Sequence, residues 1–242
     1  MSRLVRRLIL AAAALALCAA IFAGLVWKGV IRLSHPSREA YPICGADVSH
    51  YQGDIDFAAL ARQDLSFVFI KATEGASHVD DRYAENLSNA LDTSLRVGCY
   101  HFFSYDSTGA DQAAHFIEQV PVWDGMLPPV IDVEFYGDYF SNPADPDAVK
   151  PQLRAMVDAL EAHYGVKPIL YCTQKAWRLY IREDFSDCDL WIRSVYFAPP
   201  DTDWTFWQYT DRAELDGYDG AEKYIDLNVF RGDANAFAQY PG

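Results

Sequence analysis

Basic residues are scarce in this chain of 242 residues: 20 Lys and Arg stand against 34 Asp and Glu, a formal charge of −14 at neutral pH. The shortage is sharper beyond the N-terminus. Residues 1–35 hold five basic residues and no acidic one, which leaves 15 basic against 34 acidic, or −19, in the remainder. Such a surface repels phosphate backbones and excludes nucleic acid as a partner; its plain consequence is solubility, and anionic polymers are repelled at low salt. Cysteine is sparse too, and none of the five has a neighbour at metal-ligand spacing, so neither a metal nor any other cofactor is expected. Cys44 and Cys99 sit in apolar segments as ordinary buried thiols, whereas Cys172 and Cys188 flank one connection and are expected to pair in an oxidising compartment. What is abundant is apolar and aromatic: 51% hydrophobic residues with 15 Tyr, 14 Phe and 6 Trp are enough for one substantial core, with no second domain required.

Only one long apolar run occurs, over residues 8–27, preceded by Arg3, Arg6 and Arg7. About 20 such residues span a bilayer, and arginines before the run keep residues 1–7 in the cytoplasm and send the rest across. A cleaved signal peptide is the rival reading, but no small-x-small cleavage pattern follows, which favours an uncleaved anchor. Leu15-Ala16-Leu17-Cys18 resembles a lipoprotein box with Leu17 where a small residue is needed, so lipidation is discounted. Residues 28–42, with Ser34, Pro36, Ser37, Arg38 and Pro42, lack periodicity and read as a linker of at most about 50 Å.

From residue 43 onward, apolar strand-like runs end in polar groups and alternate with helical patterns. Cys44-Gly45-Ala46-Asp47 is the first, Phe67 to Lys71 and Glu74 the second, Val97 to Phe103 with His101 the third. Val130-Ile131-Asp132-Val133-Glu134 follows, with two acids at i and i+2 on one face of a strand. Carboxylates that close raise one another's pKa and suit general acid/base work on glycosides. Helices are expected over 57–63 behind an Asp56 cap, 81–91 and 109–120. A longer one carries Val149, Leu153, Met156, Val157, Leu160 and Tyr164 on one face and ends at Gly165. Strands are then expected at 168–172, 190–194, 204–209 and 224–230, the last containing Asp226. Alternating strand and helix with acids at strand ends indicates an α/β barrel over 43–242 with its site on the C-terminal face.

In this order and spacing the motifs resemble glycoside hydrolase family 25, the Chalaropsis-type muramidases, over residues 43–232. The resemblance implies an irregular, shortened TIM-like (β/α) barrel. It also implies a lysozyme activity, hydrolysis of the β-1,4 bond between N-acetylmuramic acid and N-acetylglucosamine, with peptidoglycan glycan strands as partner. It assigns Glu134 as general acid/base, Asp132 as its partner carboxylate, and Asp47 and Asp226 as further active-site acids. Tyr171, Trp207 and Gln208 match subsite residues. His101, Lys71 and Glu74 are site candidates whose alternatives are a core histidine and a buried ion pair. Substrate-assisted attack by the 2-acetamido group, direct attack by an Asp, and inversion by water all remain open, as does oligomeric state. Arg193-Ser194 departs from the family pattern, which has a small residue after Leu190-Trp191-Ile192. A wall-binding pseudoenzyme and a glycosidase for another N-acetylated polymer such as chitin are the competing readings.

Overall fold

The computed structural model describes residues 2–28, 30–31, 33 and 35–241. A 25-residue helix, α1 (Arg3–Trp27), has no buried residue. The barrel domain then runs β1 (Cys44–Val48), α2 (Phe57–Ala61), β2 (Phe67–Glu74), β3 (His78–Val79), α3 (Tyr83–Leu91), β4 (Arg96–Phe102), α4 (Gly109–Gln119) and β5 (Val130–Val133). It continues with α5 (Pro146–Tyr164), β6 (Ile169–Thr173), α6 (Gln174–Ala176), β7 (Leu190–Arg193), β8 (Phe206–Ala213), β9 (Ile225–Phe230) and α7 (Ala234–Ala238).

Eight strands close a barrel in the order β1-β9-β8-β7-β6-β5-β4-β2, with β2 returning to β1, while β3 hangs on the outer edge of β2. All neighbours are parallel except β9, which runs antiparallel to both β1 and β8. The helices start and stop for local reasons. Asp56 Oδ1 accepts from Ala59 N at 2.8 Å to open α2. Asp145 caps α5 ahead of Pro146, its stripe Val149, Leu153, Met156, Val157 and Leu160 is buried, and Gly165 at φ 74° ends it. After β6 only α6 and a π-helical turn over Trp177–Ile181 form, so the barrel is irregular there.

Strand alternation divides the core in two. Val68, Ile70, Ile131, Val133, Leu170, Ile192 and Val229 face outward to the helices. Phe67, Phe69, Val130, Ile169, Trp191, Phe206 and Phe230 face inward and fill the lower barrel. The rings pack edge to face, Phe67 against Phe206 at 5.3 Å and Phe69 against Phe206 at 5.4 Å between centroids. Glycine makes room for them: a Cβ on Gly45 would lie 2.3 Å from the Phe67 ring, and one on Gly98 2.5 Å from that of Phe69. The floor is sealed by α7, where Phe237 packs tilted against Phe67 and edge-on against Phe230, and Arg96 Nη1 donates to Phe237 O at 2.7 Å.

Two expectations are corrected. Cys172 and Cys188 are not bridged: Cys172 faces the outer layer from β6, fully buried, Cys188 sits half-buried in the loop before β7, and all five thiols are free. The linker is shorter than residues 28–42, of which Gly29, Arg32 and Ser34 lie outside the described residues. Leu33 N donates to Tyr196 O at 3.1 Å, Arg38 Nη1 donates to Asp64 O at 3.3 Å, and Tyr41 packs on Trp204 and Trp207 at 5.6 and 6.0 Å, so the chain is tied to the barrel from Leu33 and packs on it from Arg38. The helix that carries the apolar run at 8–27 takes Arg3, Arg6 and Arg7 into its first two turns.

Candidate active site

The inward alternation that fills the lower barrel with rings continues to the mouth, where the side chains become polar. On β2, Phe67 and Phe69 give way to Lys71; on β5, Val130 is followed by Asp132 and then Glu134; on β8, Phe206 is followed by Gln208. Because β9 is reversed, its early residues Asp226 and Asn228 reach the mouth and its last, Phe230, reaches the floor. The result is a cleft of about 400 Å³ lined by Asp47, Lys71, Tyr100, Asp132, Glu134 and Asp226 among others.

A hydrogen-bond chain fixes one wall. Tyr171 OH donates to Gln208 Oε1 at 2.8 Å, which turns the amide so that Nε2 donates to Asp226 Oδ2 at 2.9 Å and to Asp47 Oδ2 at 3.1 Å. Trp191 Nε1 donates to Asn228 Oδ1 at 2.8 Å, and Asn228 Nδ2 to Asp47 Oδ2 at 2.7 Å. Asp47 and Asp226 are direct register partners on antiparallel strands. Burial pushes the Asp47 carboxyl up to about 6, opposed by the donors Asn228 and Gln208. Asp226 is also raised, by burial and by the Asp47 and Asp211 charges.

The opposite wall holds the pair expected from sequence. Asp132 is 7% exposed, and its Oδ1 has no hydrogen-bond partner among the described residues. Burial and then Glu134 hold its pKa well above the usual carboxylate range, with Lys71 opposing. Glu134 is raised by burial, with Arg193 pulling down and Asp47 and Asp211 pushing up. The cleft therefore combines carboxyls whose pKa values burial raises with an acceptor oxygen that lacks a donor among the described residues, an arrangement suited to proton transfer on a neutral, amide-bearing ligand.

The other candidates separate. Lys71 lines the cleft with its ammonium 2.7 Å from Glu74 Oε2, and Glu74 stands at the rim. His101 does not reach the cleft: it lies between β4 and α4, its Nδ1 2.7 Å from Thr73 Oγ1 and its Nε2 3.0 Å from Gln112 Oε1, with burial lowering its pKa to about 4. Trp207 is likewise turned away, since adjacent strand residues face opposite sides and Gln208 points inward. Its Nε1 donates to Ser194 O at 3.0 Å in the outer layer. Alternation from residues already chosen would have found the groups that were missed. Two positions from Asp226 is Asn228, two before Arg193 is Trp191, and Tyr100 and Phe102 flank His101. Ser49, Tyr51, Gln52, Glu222 and Tyr224 come from loops and had no such signal. No group of His, Cys, Asp and Glu among the described residues is arranged to hold a metal ion.

The model of the family described as Glycosyl hydrolases family 25 matches residues 46–218. A solved family 25 glycosyl hydrolase from Bacillus anthracis is 51% identical, with a TM-score of 0.81 over 87% of this chain and 97% of that one. Lysozyme M1 of Streptomyces globisporus is 29% identical over 209 residues, 78% of this chain and 68% of its own length. The N,O-diacetylmuramidase of a Chalaropsis species is 29% identical over 205 residues, 76% of this chain and 94% of its own.

Proposed function

This chain belongs to glycosyl hydrolase family 25, and from that premise we propose that it is a muramidase, cleaving the β-1,4 bond between N-acetylmuramic acid and N-acetylglucosamine in peptidoglycan. The observation that carries the assignment of roles is the pairing of Asp132 on β5, whose Oδ1 lacks a donor among the described residues, with Glu134 at the next inward position just past the strand's end, whose pKa burial raises. Glu134 protonates the leaving glycosidic oxygen. The 2-acetamido oxygen of the muramic acid attacks C1 as the C1–O bond breaks, and its N–H donates to the unpartnered oxygen of Asp132, which stabilises the positive ring that forms. Water then adds to C1 and returns its proton to Glu134, so the configuration at C1 is retained. Asp47, locked by Gln208 and Asn228, opposes ionisation of Glu134 and Asp132, and together with Asp226 it shapes the wall facing the sugar.

We further propose that α1 stays as a membrane anchor with the barrel on the extracytoplasmic side. Its 25 residues reach about 37 Å at helical rise, more than the roughly 30 Å hydrocarbon core. With the chain already tied to the barrel at Leu33, whose N–H donates to Tyr196 O at 3.1 Å, the span of residues 28–32 extends at most about 18 Å, so such an enzyme works on wall material close to the bilayer.

The test is digestion of purified peptidoglycan by the full chain in detergent beside Glu134→Gln, with reducing ends identified by mass spectrometry after borohydride reduction. Fragments ending in reduced N-acetylmuramic acid, absent with the variant, are expected. Fragments ending in reduced N-acetylglucosamine, or equal release by the variant, would overturn the assignment.

A further inference from the structure

The mouth of this barrel is acidic on almost every side, yet two cations stand together beyond β6 and β7. Arg193 ends β7 in register with Thr173 and Gln208, and its Nη2 lies 2.6 Å from Asp211 Oδ2. This ion pair lies between the cleft, which Asp211 lines, and a second cavity of about 340 Å³ that Arg193 lines together with Thr173, Gln174, Lys175, Ser194 and Phe197. Lys175 has no carboxylate partner among the described residues. Its ammonium donates to Phe140 O at 3.1 Å and sits 4.6 Å from the ring centroid of Phe135, the residue directly after Glu134. The cavity therefore abuts the end of the strand that carries the acid/base pair.

Its polar lining is held in place rather than free to collapse. Gln174 Nε2 donates to Ser194 Oγ at 2.9 Å, and Ser194 Oγ donates to Phe197 O at 2.9 Å, which pins the loop after β7 against the loop after β6. Phe197 presents a ring that is 57% exposed at its edge. A hydrated cation, a guanidinium, fixed amides and an exposed ring fit an extended, carboxylate-bearing peptide better than a neutral sugar.

Resting on the muramidase reading, we infer that this second cavity receives the peptide stem of the glycan and that Lys175 and Arg193 recognise the stem's free carboxylates. The chemistry of the substrate demands such a place. The stem branches from the lactyl group on the sugar whose C1 reacts, so it must leave the cleft within one sugar's width of Glu134. Elsewhere the cleft lining carries the acids Glu222 and Asp226, and its cation Lys71 is paired with Glu74. Those acids repel a carboxylate, whereas the exit over Arg193 attracts it.

The experiment uses the full chain in detergent, carrying Glu134→Gln to prevent turnover, and isothermal titration with N-acetylglucosaminyl-N-acetylmuramoyl peptide. One sample keeps the peptide carboxylates free and the other has them amidated. The free-carboxylate ligand is expected to bind about tenfold more tightly at low salt, a preference that shrinks as salt rises. Adding Lys175→Met should bring the ratio close to one, and Lys175→Arg should keep it. A wild-type ratio near one, or a ratio that Lys175→Met leaves intact, overturns the inference. These ratios do not depend on hydrolysis, so failure to release muramic acid ends would sink the muramidase assignment and leave this measurement to be judged separately.

Discussion

The lower and upper halves of the barrel interior are built from the same strands in the same alternation, yet they do opposite things. Below, Phe67, Phe69, Phe206, Phe230 and Trp191 fill the interior and exclude water. Above, two positions further along the same strands, Lys71, Gln208, Asn228 and Asp132 are buried and Asp47 is half-buried, polar side chains that must be hydrogen-bonded or shifted in ionisation. Burying a ring stabilises by about 1.5–3 kcal/mol, whereas burying a carboxyl costs stability and is tolerated because its ionisation changes. The comparison teaches that stability and chemistry are separated along each strand, not assigned to different strands.

The largest test replaces a mouth residue. Glu134→Gln should lower kcat on peptidoglycan by about a thousandfold, while the melting temperature stays level or rises, because a neutral amide replaces an acid whose burial is unfavourable. A clear fall in melting temperature would break the division by showing that the mouth carries stability. The reciprocal change, Phe67→Ala, should cost about 3–5 kcal/mol and lower the melting temperature by roughly 8–16 °C. Activity per folded molecule should be nearly retained.

A pH series sharpens the division further. Asp47 binds its proton more tightly folded than unfolded, its pKa moving from 3.8 to about 6. Its contribution to stability is therefore fully present below about pH 4 and is lost as pH rises to about 6. His101, lowered from 6.5 to about 4, acts in reverse: its contribution is present above pH 6.5 and lost as pH falls to about 4. Melting curves of Asp47→Asn and His101→Gln between pH 4 and 7 should change slope in opposite directions relative to the parent. Equal slopes would remove the distinction between a strained site acid and a satisfied core histidine. The smallest expected effect is at the lower glycine: Gly45→Ala should cost about 1–3 kcal/mol by overpacking the Phe67 ring, read as a lowered denaturant midpoint.

Much of this was legible from the chain because a strand records its burial with a period of two. Asp132 and Glu134 could be placed on one face from their spacing alone, Asp56 and Gly165 marked helix ends, and the stripe from Val149 to Leu160 gave α5 its inner face. The same rule, applied to both neighbours, would have kept Gln208 and set aside Trp207, and kept Tyr100 while setting aside His101. What spacing could not supply was direction and distance in the closed sheet. Nothing local says that β9 runs backward, so Asp226 reads as the beginning of a strand and becomes a wall residue only through its partner Asp47. The Cys172–Cys188 pairing failed for a related reason, since closeness in sequence does not tell that β6 turns its thiol outward beneath the helices.

The reversed strand has a consequence in time. The barrel closes through β9, which joins β1 to β8 across nearly the whole length of the chain. An N-terminal fragment that already contains Asp132 and Glu134 still lacks Asp226, the Asn228 donor that fixes Asp47, and the Phe237 plug. Until β9 forms, the parallel strands can pair with one another but the barrel stays open between β1 and β8. The complete site comes into being only after β9 has been made, so that strand acts as its safety catch.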